Sequence, residues 1–489
     1  MLSAFLVACV FVGMLPTFAL FVQFLLVGLH GVRNHYGRCA DHTPRVAFIL
    51  PAWNEADVLE SSIDSLMRLS YPAGVWRIYV IDDASTDGTP ELMRRMMARY
   101  PGSVHHLRRE QGGQGKAHTL NHGLREILAD DWAEAVMIMD ADVLFEPLAL
   151  RRMTRHLADP AVGAVTAYIK EGSYPGNVVN RFVAFEYVTA QAAARRAQNV
   201  IGALTCLAGG AQLHTRANLE ALGGRIDTST LAEDTYTTLA TQLDGRRVVF
   251  DGNAVVWAEE PDSLAGLWKQ RLRWARGNLQ ITAAFRRAWF RPLRHPGLGG
   301  IGFGILWFSI VLAPIFMLLS SVGLIGLYVF DPASAWISFS LLWRITIVVY
   351  LVETLFSFAI DPATARRAWF EGLMYPGLIS LSIMVLFFLP TGFAPISEYF
   401  VGTSADGLRR NPLALFMYLW VSASMLAAWG VYRLEKAGLP RPLRDALLVL
   451  VGYGPFMSVI SLAAMAAQWR RADARWDKTI KSGKARILP

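Results

Sequence analysis

Hydrophobic residues along this chain form long uninterrupted stretches on either side of one polar block. Five stretches contain no Asp, Glu, Lys or Arg: residues 1–32, 301–330, 372–397, 413–432 and 446–468. A sixth, residues 334–360, contains only Arg344 and Glu353 among these residue types. A helix needs about 20 apolar residues to cross the hydrocarbon core of a bilayer. The pattern therefore predicts a membrane-embedded protein.

The polar block alternates between two kinds of shorter pattern. Apolar runs predict strands at Arg45–Leu50, Arg77–Ile81, Val104–Leu107, Ala135–Met139 and Val162–Ala167. Helical periodicity lies between most of them, near Ala56–Leu69, Thr89–Arg99, Ala117–Leu128 and Leu148–Leu157. Strands that alternate with helices typically form a mostly parallel sheet that is covered on both faces. We therefore expect an α/β domain whose ligands bind beyond the carboxyl ends of the strands.

Composition excludes several other classes of protein. Of the 489 residues, 53% are hydrophobic and 18% are charged, whereas a soluble domain has about 25% charged residues. The three cysteines, Cys9, Cys39 and Cys206, form no CxxC or Cys/His pattern, which argues against a zinc ribbon or a disulfide framework. The net charge of +8 suits nucleic acid or anionic lipid. Arginines next to the membrane segments favour lipid, and no nucleic-acid partner is expected.

Basic residues also predict the orientation. The first segment has no basic residue before it and no small-residue cleavage site after it, so we expect a retained anchor with its N-terminus outside. The polar block and the basic tail Arg470–Arg486 then lie in the cytoplasm. Because six spans would put that tail outside, we expect 364–396 to be an interfacial or re-entrant helix, which leaves five spans. The alternative of six spans stays open.

The expected division of the chain follows from these patterns. It comprises an N-terminal transmembrane anchor (1–32), a cytoplasmic domain (33–262), amphipathic interfacial helices (263–300), a transmembrane region (301–468) and a cytoplasmic tail (469–489).

Two acidic clusters follow predicted strands. Asp82-Asp83 come after Arg77–Ile81, and Asp140-Ala141-Asp142 come after Ala135–Met139. Carboxylates at one sheet edge repel one another unless a cation or a donor-rich ligand lies between them. Hard oxygen ligands suit Mg²⁺ or Mn²⁺, which bind nucleotide phosphates. Either cluster alone is equally well explained as an N-cap or Asx turn, but the two together favour a metal–nucleotide site.

Three further motifs carry candidate chemistry. Gly112-Gly113-Gln114-Gly115-Lys116 opens a helix after the third strand, where it is either a phosphate-binding turn or a plain flexible turn. Glu233-Asp234 precede the helical run Thr235–Leu243, where acids also stabilise a helix N-terminus. Leu264–Arg276 has the pattern of an interfacial amphipathic helix. Its Gln270, Arg273 and Trp274 suit a diphosphate and a sugar ring.

These motifs together resemble the membrane-integrated processive family 2 glycosyltransferases, which include cellulose, hyaluronan and poly-N-acetylglucosamine synthases. The resemblance covers about Pro44 to Asn278. It is carried by four motifs in the family's order: Asp82-Asp83, the DxD at Asp140–Asp142, the ED at Glu233-Asp234, and QxxRW at Gln270–Trp274. Cys206-Leu207-Ala208-Gly209-Gly210 aligns imperfectly with the family's acceptor motif, and Trp476–Lys481 resembles its gating loop. The resemblance implies a GT-A-like nucleotide-sugar transferase domain inserted in a transmembrane helical bundle.

The same resemblance implies roles for individual residues. On the donor side it assigns Asp82, Asp83 at the uracil, Lys116, Asp140 at the ribose or phosphate, Gln270, Arg273, Thr479 and Lys481. Asp142 would coordinate Mg²⁺ or Mn²⁺, and Asp234 would be the general base. On the acceptor side it assigns Trp274, Glu233, Gly209 and Gly210.

The expected activity is an inverting β-glycosyltransferase that polymerises a UDP-activated sugar, of the GlcNAc or glucose type, and moves the polysaccharide across the plasma membrane. One carboxylate base and one metal-held leaving group suffice for a single displacement with inversion. Two alternatives remain: transfer of one sugar to a lipid carrier, and a transporter with a degenerate transferase domain. Accessory export or regulatory proteins are further expected partners.

Overall fold

The computed structural model describes residues 1–33, 39–388, 412–472 and 481–488. The chain forms two compact units. The helical unit comprises Met1–Leu25, Ser263–Arg276 and Ile305–Ala472, and the sheet unit comprises Leu26–Asp262, Gly277–Gly304 and Asp473–Pro489.

A mixed sheet of eight strands, counted within the described residues, forms the centre of the sheet unit. The strands are β1 (Val46–Ala52), β2 (Trp76–Asp82), β3 (Val104–Arg108), β4 (Ala135–Ile138), β5 (Leu144–Phe145), β6 (Val162–Glu171), β7 (Gln212–Thr215) and β8 (Arg247–Ala258). Their order is β3-β2-β1-β4-β7-β6-β8-β5. The pairs β1/β2, β1/β4, β2/β3 and β6/β8 are parallel, whereas β4/β7, β6/β7 and β5/β8 are antiparallel. The predicted mostly parallel α/β fold is confirmed.

The α-helices described before residue 250 are α1 (Leu2–Gly13), α2 (Leu15–Val32), α3 (Ala56–Leu66), α4 (Thr89–Arg99), α5 (Lys116–Ala129), α6 (Ala149–Thr154), α7 (Val178–Glu186), α8 (Ala194–Ile201), α9 (Arg216–Ala221) and α10 (Glu233–Leu243). A 3₁₀ turn (Arg155–Ala158) follows α6, and a π-helical turn (Tyr187–Ala193) joins α7 to α8. The remaining helices are α11 (Leu264–Ala284), α12 (Ile301–Val311), α13 (Ala313–Phe330), α14 (Pro332–Ile360), α15 (Pro362–Arg367), α16 (Trp369–Leu373), α17 (Leu378–Phe388), α18 (Pro412–Lys436), α19 (Arg441–Val451) and α20 (Tyr453–Trp469).

The parallel half of the sheet follows the hydrophobic pattern closely. Residues 46–50 of β1 are completely buried, as expected for a strand covered on both faces. On one face, α5 packs Leu120, Leu124 and Ile127 against Ile49 and Ile81. The spacing of these α5 residues is that of one helix face, which is why their periodicity predicted the helix.

The second half of the sheet departs from the local pattern. β7 has the mixed sequence Gln-Leu-His-Thr, and β8 is interrupted by a bulge after Asp251. The Asp251 carboxylate accepts hydrogen bonds from the backbone N–H groups of Asn253 (2.8 Å) and Ala254 (3.2 Å). Neither strand is predicted from the sequence, because a bulge and a short polar strand both break the period of two.

Long apolar helices dominate the helical unit. Four described helical segments are long and apolar enough to cross a membrane: Leu2–Val32, Ala313–Phe330, Pro332–Ile360 and Leu415–Lys436. A fifth exists if α19 and α20, which meet at 89°, form one broken span. The chain is therefore a multi-pass membrane protein.

The apolar stretch 446–468, predicted from its length to be able to cross the membrane, is not one continuous helix. It breaks at Gly452, whose φ of +106° is unfavourable for residues with a side chain. A Cβ at Gly452 would lie 2.5 Å from the backbone of Pro376, so a second chain segment packs directly against the break. Of the predicted interfacial segment 364–396, residues 389–396 lie outside the described residues, and its relation to the bilayer stays a prediction.

Small residues bring two of the apolar helices together. Gly323 and Gly326 of α13 lie against Leu6, and the Ser320 hydroxyl donates to the Val10 carbonyl at 3.3 Å. A Cβ at Gly13 would collide with Ser320. Close helix packing at small residues is typical of membrane proteins. Because Leu6 meets Gly323 while Gly13 meets Ser320, α1 and α13 are antiparallel, and the N-terminus lies at the same end of the unit as Phe330.

Candidate active site

Asp82 ends β2 and has no exposed surface. Its carboxylate accepts from the Ser85 backbone N–H (2.7 Å), and it lies 3.2 Å from His106 Nε2 and 3.4 Å from an Arg108 guanidinium nitrogen. Burial alone would raise the pKa of Asp82, but the hydrogen bonds from His106 and Ser85 and the charge of Arg108 hold it below its ordinary value. The predicted donor contact of Asp82 stays a prediction; in this structure its carboxylate accepts from the loop after β2 and lies close to two side chains of β3.

Asp83 is the anchor of the glycine-rich turn. Its carboxylate accepts from the Gly113 backbone N–H at 2.9 Å and pairs with the Arg109 guanidinium. A Cβ at Gly112 would collide with the Asp83 carbonyl oxygen, so only glycine allows this approach. The turn therefore packs against Asp83, and Lys116 follows it as the first residue of α5. The predicted contact of Asp83 with a uracil stays a prediction.

Lys116 lies at the centre of a cluster drawn from three separate motifs. Its ammonium group is 2.5 Å from Asp140 and 3.7 Å from Glu233. A Cβ placed on Gly209 would lie 3.1 Å from Lys116 Nζ, 3.5 Å from Asp234 Oδ2 and 3.7 Å from Asp140 Oδ2. The structure thus brings together five predicted site residues that are scattered over about 120 positions: Lys116, Asp140, Gly209, Glu233 and Asp234.

Electrostatics explain why the Lys116 cluster is stable. Burial alone would lower the pKa of Lys116, but the neighbouring carboxylates of Asp140 and Glu233 raise it above its ordinary value. The lysine therefore remains a cation. The Asp140 side chain is 41% exposed, and it is accessible to a ligand while it is paired.

Asp234 lies in the first turn of α10 and is only partly buried. One of its oxygens accepts from the Thr235 backbone N–H at 2.7 Å, a position where the helix dipole favours the anion. The Thr238 hydroxyl donates to the Asp234 carbonyl (2.6 Å) and accepts from the Leu207 backbone N–H (2.7 Å). Thr238 thereby ties the segment Cys206–Gly210 to α10. Gly210 itself packs against Ile169 and Val143.

Asp142 pairs with the C-terminal tail. Lys481 Nζ lies 2.9 Å from Asp142 Oδ2 and also donates to the Glu259 carbonyl. Burial and the nearby carboxylates of Asp140 and Glu260 raise the pKa of Asp142, while Lys481 opposes that rise. Thr479, the other predicted tail residue, lies outside the described residues. The structure therefore places Lys481 on a carboxylate of the DxD motif.

The tail from Lys481 to Arg486 docks through its backbone. The Glu259 carboxylate accepts from the Ser482 N–H and hydroxyl (2.9 Å each) and from the Lys484 N–H (2.9 Å). Tyr174 N–H donates to the Lys484 carbonyl (3.0 Å), and a β-bridge joins Ser173 to Ala485. Glu259 was not predicted; its only signal in the sequence is a pair of acids directly after a strand.

The donor set around the DxD motif fits a hard divalent cation. Among the described residues, no group of three His, Cys, Asp or Glu side chains converges on one point. Mg²⁺ usually keeps several waters and is held by one or two carboxylates plus substrate phosphates. Asp142, with Asp140 two residues before it, is such an incomplete oxygen set, to which a diphosphate would add the missing ligands.

The QxxRW residues lie on α11 in the helical unit. Gln270 is buried, and the Arg271 guanidinium, not that of Arg273, lies 4.0 Å from the centre of the Trp274 ring. Their predicted contacts with diphosphate and acceptor stay predictions. Further along α11, in the sheet unit, Gln280 accepts from the Leu231 N–H at 2.8 Å and Gly277 packs on Ala232. Those two contacts hold the residues that precede Glu233-Asp234.

Asn54 is a further residue of this sheet edge that the motifs did not reveal. It follows β1 with a φ of 55°, and its side-chain oxygen accepts from the Thr86 (2.8 Å) and Asp87 (3.3 Å) backbone N–H groups. Its own N–H donates to the Ser85 hydroxyl at 2.9 Å. Asn54 thus joins the loops after β1 and β2. The available signal was its position directly after a buried strand.

Comparison with known sequences identifies relatives of the polar block. The sequence model of the family described as "Glycosyltransferase like family 2" matches residues 44–277. The poly-beta-1,6-N-acetyl-D-glucosamine synthase of Staphylococcus aureus (strain MSSA476) is 28% identical over 242 residues, which cover 49% of this chain and 56% of that protein. This chain thus spans about half the length of these curated relatives. The probable glycosyltransferase YdaM of Bacillus subtilis (strain 168) is 25% identical over 66% of this chain and 76% of that one.

Among solved structures, the mannosyltransferase PcManGT from Pyrobaculum calidifontis in complex with GDP-Man and Mn²⁺ is similar to this chain. It has a TM-score of 0.54 and 22% identity, with coverage of 81% of this chain and 99% of that one. The likeness shows a shared fold: a GT-A-like mixed sheet flanked by long apolar helices.

Proposed function

We propose that this chain, whose residues 44–277 match the model of "Glycosyltransferase like family 2", transfers a UDP-activated sugar of the GlcNAc or glucose type with inversion and extends an extracellular polysaccharide. The observation that carries the proposal is the Lys116 cluster, in which Lys116, Asp140, Gly209, Glu233 and Asp234 meet at one sheet edge. The Lys116 ammonium group is a partner for a diphosphate, and a neighbouring carboxylate is a base for a hydroxyl.

Asp234 acts as the general base in this mechanism. It takes the proton of the acceptor hydroxyl while the hydroxyl oxygen forms a bond to the anomeric carbon. The bond from that carbon to the diphosphate oxygen breaks on the opposite face, and its electron pair leaves with UDP. The partial exposure of Asp234 and the closeness of Gly209, where no side chain blocks the acceptor, support this role.

The donor binds between two lysines. Lys116 and Lys481 each pair with one carboxylate of the DxD motif, which supports a contact of both ammonium groups with diphosphate oxygens. When bound at Asp142, Mg²⁺ or Mn²⁺ would neutralise the charge that develops on the departing diphosphate. Gln270, Arg273 and Trp274 complete the donor and acceptor contacts, and Asp83 contacts the base.

The membrane helices provide the polymer's exit in this proposal. The catalytic domain lies in the cytoplasm, the N-terminus and the turn after Phe330 lie outside, and the multi-pass helical bundle surrounds the path. The basic tail lies in the cytoplasm, where it reaches Asp142. Such an arrangement joins synthesis to translocation across the plasma membrane.

One observation favours the alternative of transfer to a lipid carrier. The helical unit contains an apolar cavity of about 520 Å³ where α1 meets α2, lined by residues that include Phe11, Phe18, Phe21 and Arg344. An apolar cavity with one guanidinium is suited to a lipid chain that carries an anionic group.

Incubation of the purified full chain in nanodiscs with single UDP-sugars tests the proposal. UDP release is measured for each sugar, and the product is separated by size and digested with linkage-specific hydrolases. We expect a product ladder from one UDP-sugar and no release by the variant Asp234→Asn, which still binds UDP. A single glycolipid band would instead establish the lipid-carrier alternative, and near-normal transfer by Asp234→Asn would exclude that residue as the base.

A further inference from the structure

The first turn of α11 is capped by a residue from a distant helix. Glu435, one residue before the end of α18, accepts from the backbone N–H groups of Leu264 (3.1 Å) and Ala265 (2.7 Å) through its two carboxylate oxygens. The Ser263 hydroxyl accepts from the Gly266 N–H at 3.2 Å. The first N–H groups of a helix have no partner within it, and an anion there is stabilised by the helix dipole. Glu435 therefore satisfies two of these donors and supplies the charge.

Glu435 is itself held by a buried cation. The Arg444 guanidinium donates to Glu435 at 2.9 Å and, through two other nitrogens, to Asp445 at 2.8 and 2.6 Å. The side chains of Arg444 and Glu435 are only 2% and 12% exposed. A buried, hydrogen-bonded ion pair has a defined geometry because neither charge can leave its partner cheaply. The position of the cap is thus set by α19 as well as α18.

A second contact fixes the rotation of α11. The rings of Trp268 and Tyr432 stack with their centres 4.2 Å apart and an angle of 9° between their planes. Trp268 lies four residues after Leu264, and Tyr432 lies three residues before Glu435, so one helical turn of α11 meets one turn of α18 at two points. Two contacts one turn apart define both the position and the rotation of a helix.

The residues that depend on this arrangement follow within the next two turns. Gln270, Arg273 and Trp274 lie six to ten residues beyond the capped end, a distance of about 9–15 Å along the helix axis. We propose that Glu435, held by Arg444, is a positioning residue that sets the position and rotation of the part of α11 that carries Gln270, Arg273 and Trp274. The inference rests on the proposed function only for the role of those three residues; the cap itself is independent of it.

Four variants of the full chain in nanodiscs test the inference: Glu435→Ala, Asp445→Asn, Arg273→Ala and the double variant Glu435→Ala/Arg273→Ala. Asp445→Asn is the matched control, because Asp445 also pairs with Arg444, whereas the first N–H groups of α11 donate to Glu435 and Ser263. Hydrogen–deuterium exchange of residues 264–276 reports on the cap without any substrate. Sugar transfer is measured as kcat and KM.

We expect Glu435→Ala to expose the first turn of α11 to exchange and to lower kcat/KM by about 10- to 100-fold, the loss that a misplacement of about 1 Å produces. Asp445→Asn should change either quantity by less than about threefold. Because Glu435 acts partly through Arg273, the double variant should lose less activity than the product of the two single losses. Additive losses, or equal losses in Asp445→Asn and Glu435→Ala, would overturn the proposal.

Misfolding of Glu435→Ala and failure of the proposed function give different results. If Glu435→Ala does not fold, Glu435→Leu/Arg444→Leu replaces the ion pair with apolar side chains, a change that buried pairs often tolerate. Its thermal midpoint should lie near that of the wild type, while exchange of residues 264–276 stays fast and sugar transfer stays slow. Wild-type exchange or wild-type transfer in this double variant would contradict the positioning role of Glu435. If the wild type transfers no sugar, the proposed function fails, while the exchange experiment alone decides whether Glu435 fixes α11.

Discussion

Asp82-Asp83 and Asp140-Ala141-Asp142 both follow parallel strands of one sheet, yet different kinds of cation neutralise them. Arg108, His106 and Arg109 hold the first pair, together with backbone N–H groups, and Asp82 is completely buried. Among the residues that the structure describes, the second cluster pairs with lysines: Lys116 with Asp140 and Lys481 with Asp142. Asp140 is also 41% exposed. Asp140 thus differs in its access to solvent from Asp83 and Asp142, whose side chains are 8% and 12% exposed.

This difference indicates which acidic residues can exchange a protein partner for a ligand. Arginine presents a rigid fork of donors, whereas lysine is a point charge on a flexible stem. A carboxylate held by guanidinium and backbone groups has its hydrogen bonds satisfied by the protein. A lysine that pairs with a carboxylate can move to a phosphate, and the carboxylate can then bind a metal ion. We therefore expect Asp82 to stabilise the sheet edge, and Asp140 and Asp142 to exchange their lysine partners for a ligand.

Asp142→Asn should have the largest effect on transfer. Loss of the metal-binding carboxylate should lower kcat/KM by about 10³-fold, because metal stabilisation of a leaving group is worth several kcal/mol. The thermal midpoint should stay near that of the wild type, since Lys481 can return to water with the tail. UDP release and thermal unfolding of the same preparation check both parts. Transfer within about tenfold of the wild type would place the essential carboxylate elsewhere.

Asp82→Asn should have the opposite profile. The variant weakens the acceptor for Ser85, His106 and Arg108, and a hydrogen bond to a charged group contributes about 1.5–3 kcal/mol. We expect a loss of about 2–3 kcal/mol in unfolding free energy, with transfer per folded molecule within about threefold of the wild type. The control is Glu91→Gln, which removes an exposed pair with Arg94 and should cost under about 1 kcal/mol. A stable but inactive Asp82→Asn variant would instead support the predicted contact of Asp82 with the donor.

Lys481→Met should have a smaller effect that is confined to the donor. The substitution keeps the length of the stem and removes the charge that pairs with Asp142, so we expect KM for the UDP-sugar to rise by about tenfold, the equivalent of one charge-assisted contact. Lys484→Met is the matched control, because Lys484 contacts Glu259 and Tyr174 through its backbone. An unchanged KM in Lys481→Met would mean that the lysine serves only to dock the tail.

The pH dependence of stability should give the smallest difference between the clusters. The folded-state pKa of Asp82 lies below its ordinary value, so its contribution is complete above the unfolded pKa of about 3.9 and is lost as pH falls through the folded value. We expect the thermal midpoint of the wild type to fall more steeply below about pH 4 than that of Asp82→Asn. The measurement is the midpoint from pH 3 to 6, and parallel curves would contradict it.

Much of the fold and part of the site were predictable from local patterns. β1 to β4 and the helices between them were predicted within about two residues of most observed ends, because both faces of this half of the sheet are covered and burial follows the chain's own period. β7 and β8 were missed because a polar strand and a bulge obscure that period. The motifs predicted Lys116, Asp140 and Glu233 as site residues. They did not predict that Asp82 is completely buried whereas Asp140 is partly exposed.

The sequence by itself determined the apolar segments, the parallel half of the sheet and the positions of the acidic motifs, because each is recorded in residues that lie close together along the chain. Only the tertiary structure decided which cation each carboxylate meets. Lys481 reaches the Glu259 carbonyl across 222 residues, and Glu435 reaches Leu264 across 171. Partners at such separations leave no periodicity, since their meeting depends on how strands and helices pack, and that packing sets which acids pair with arginine and which with lysine.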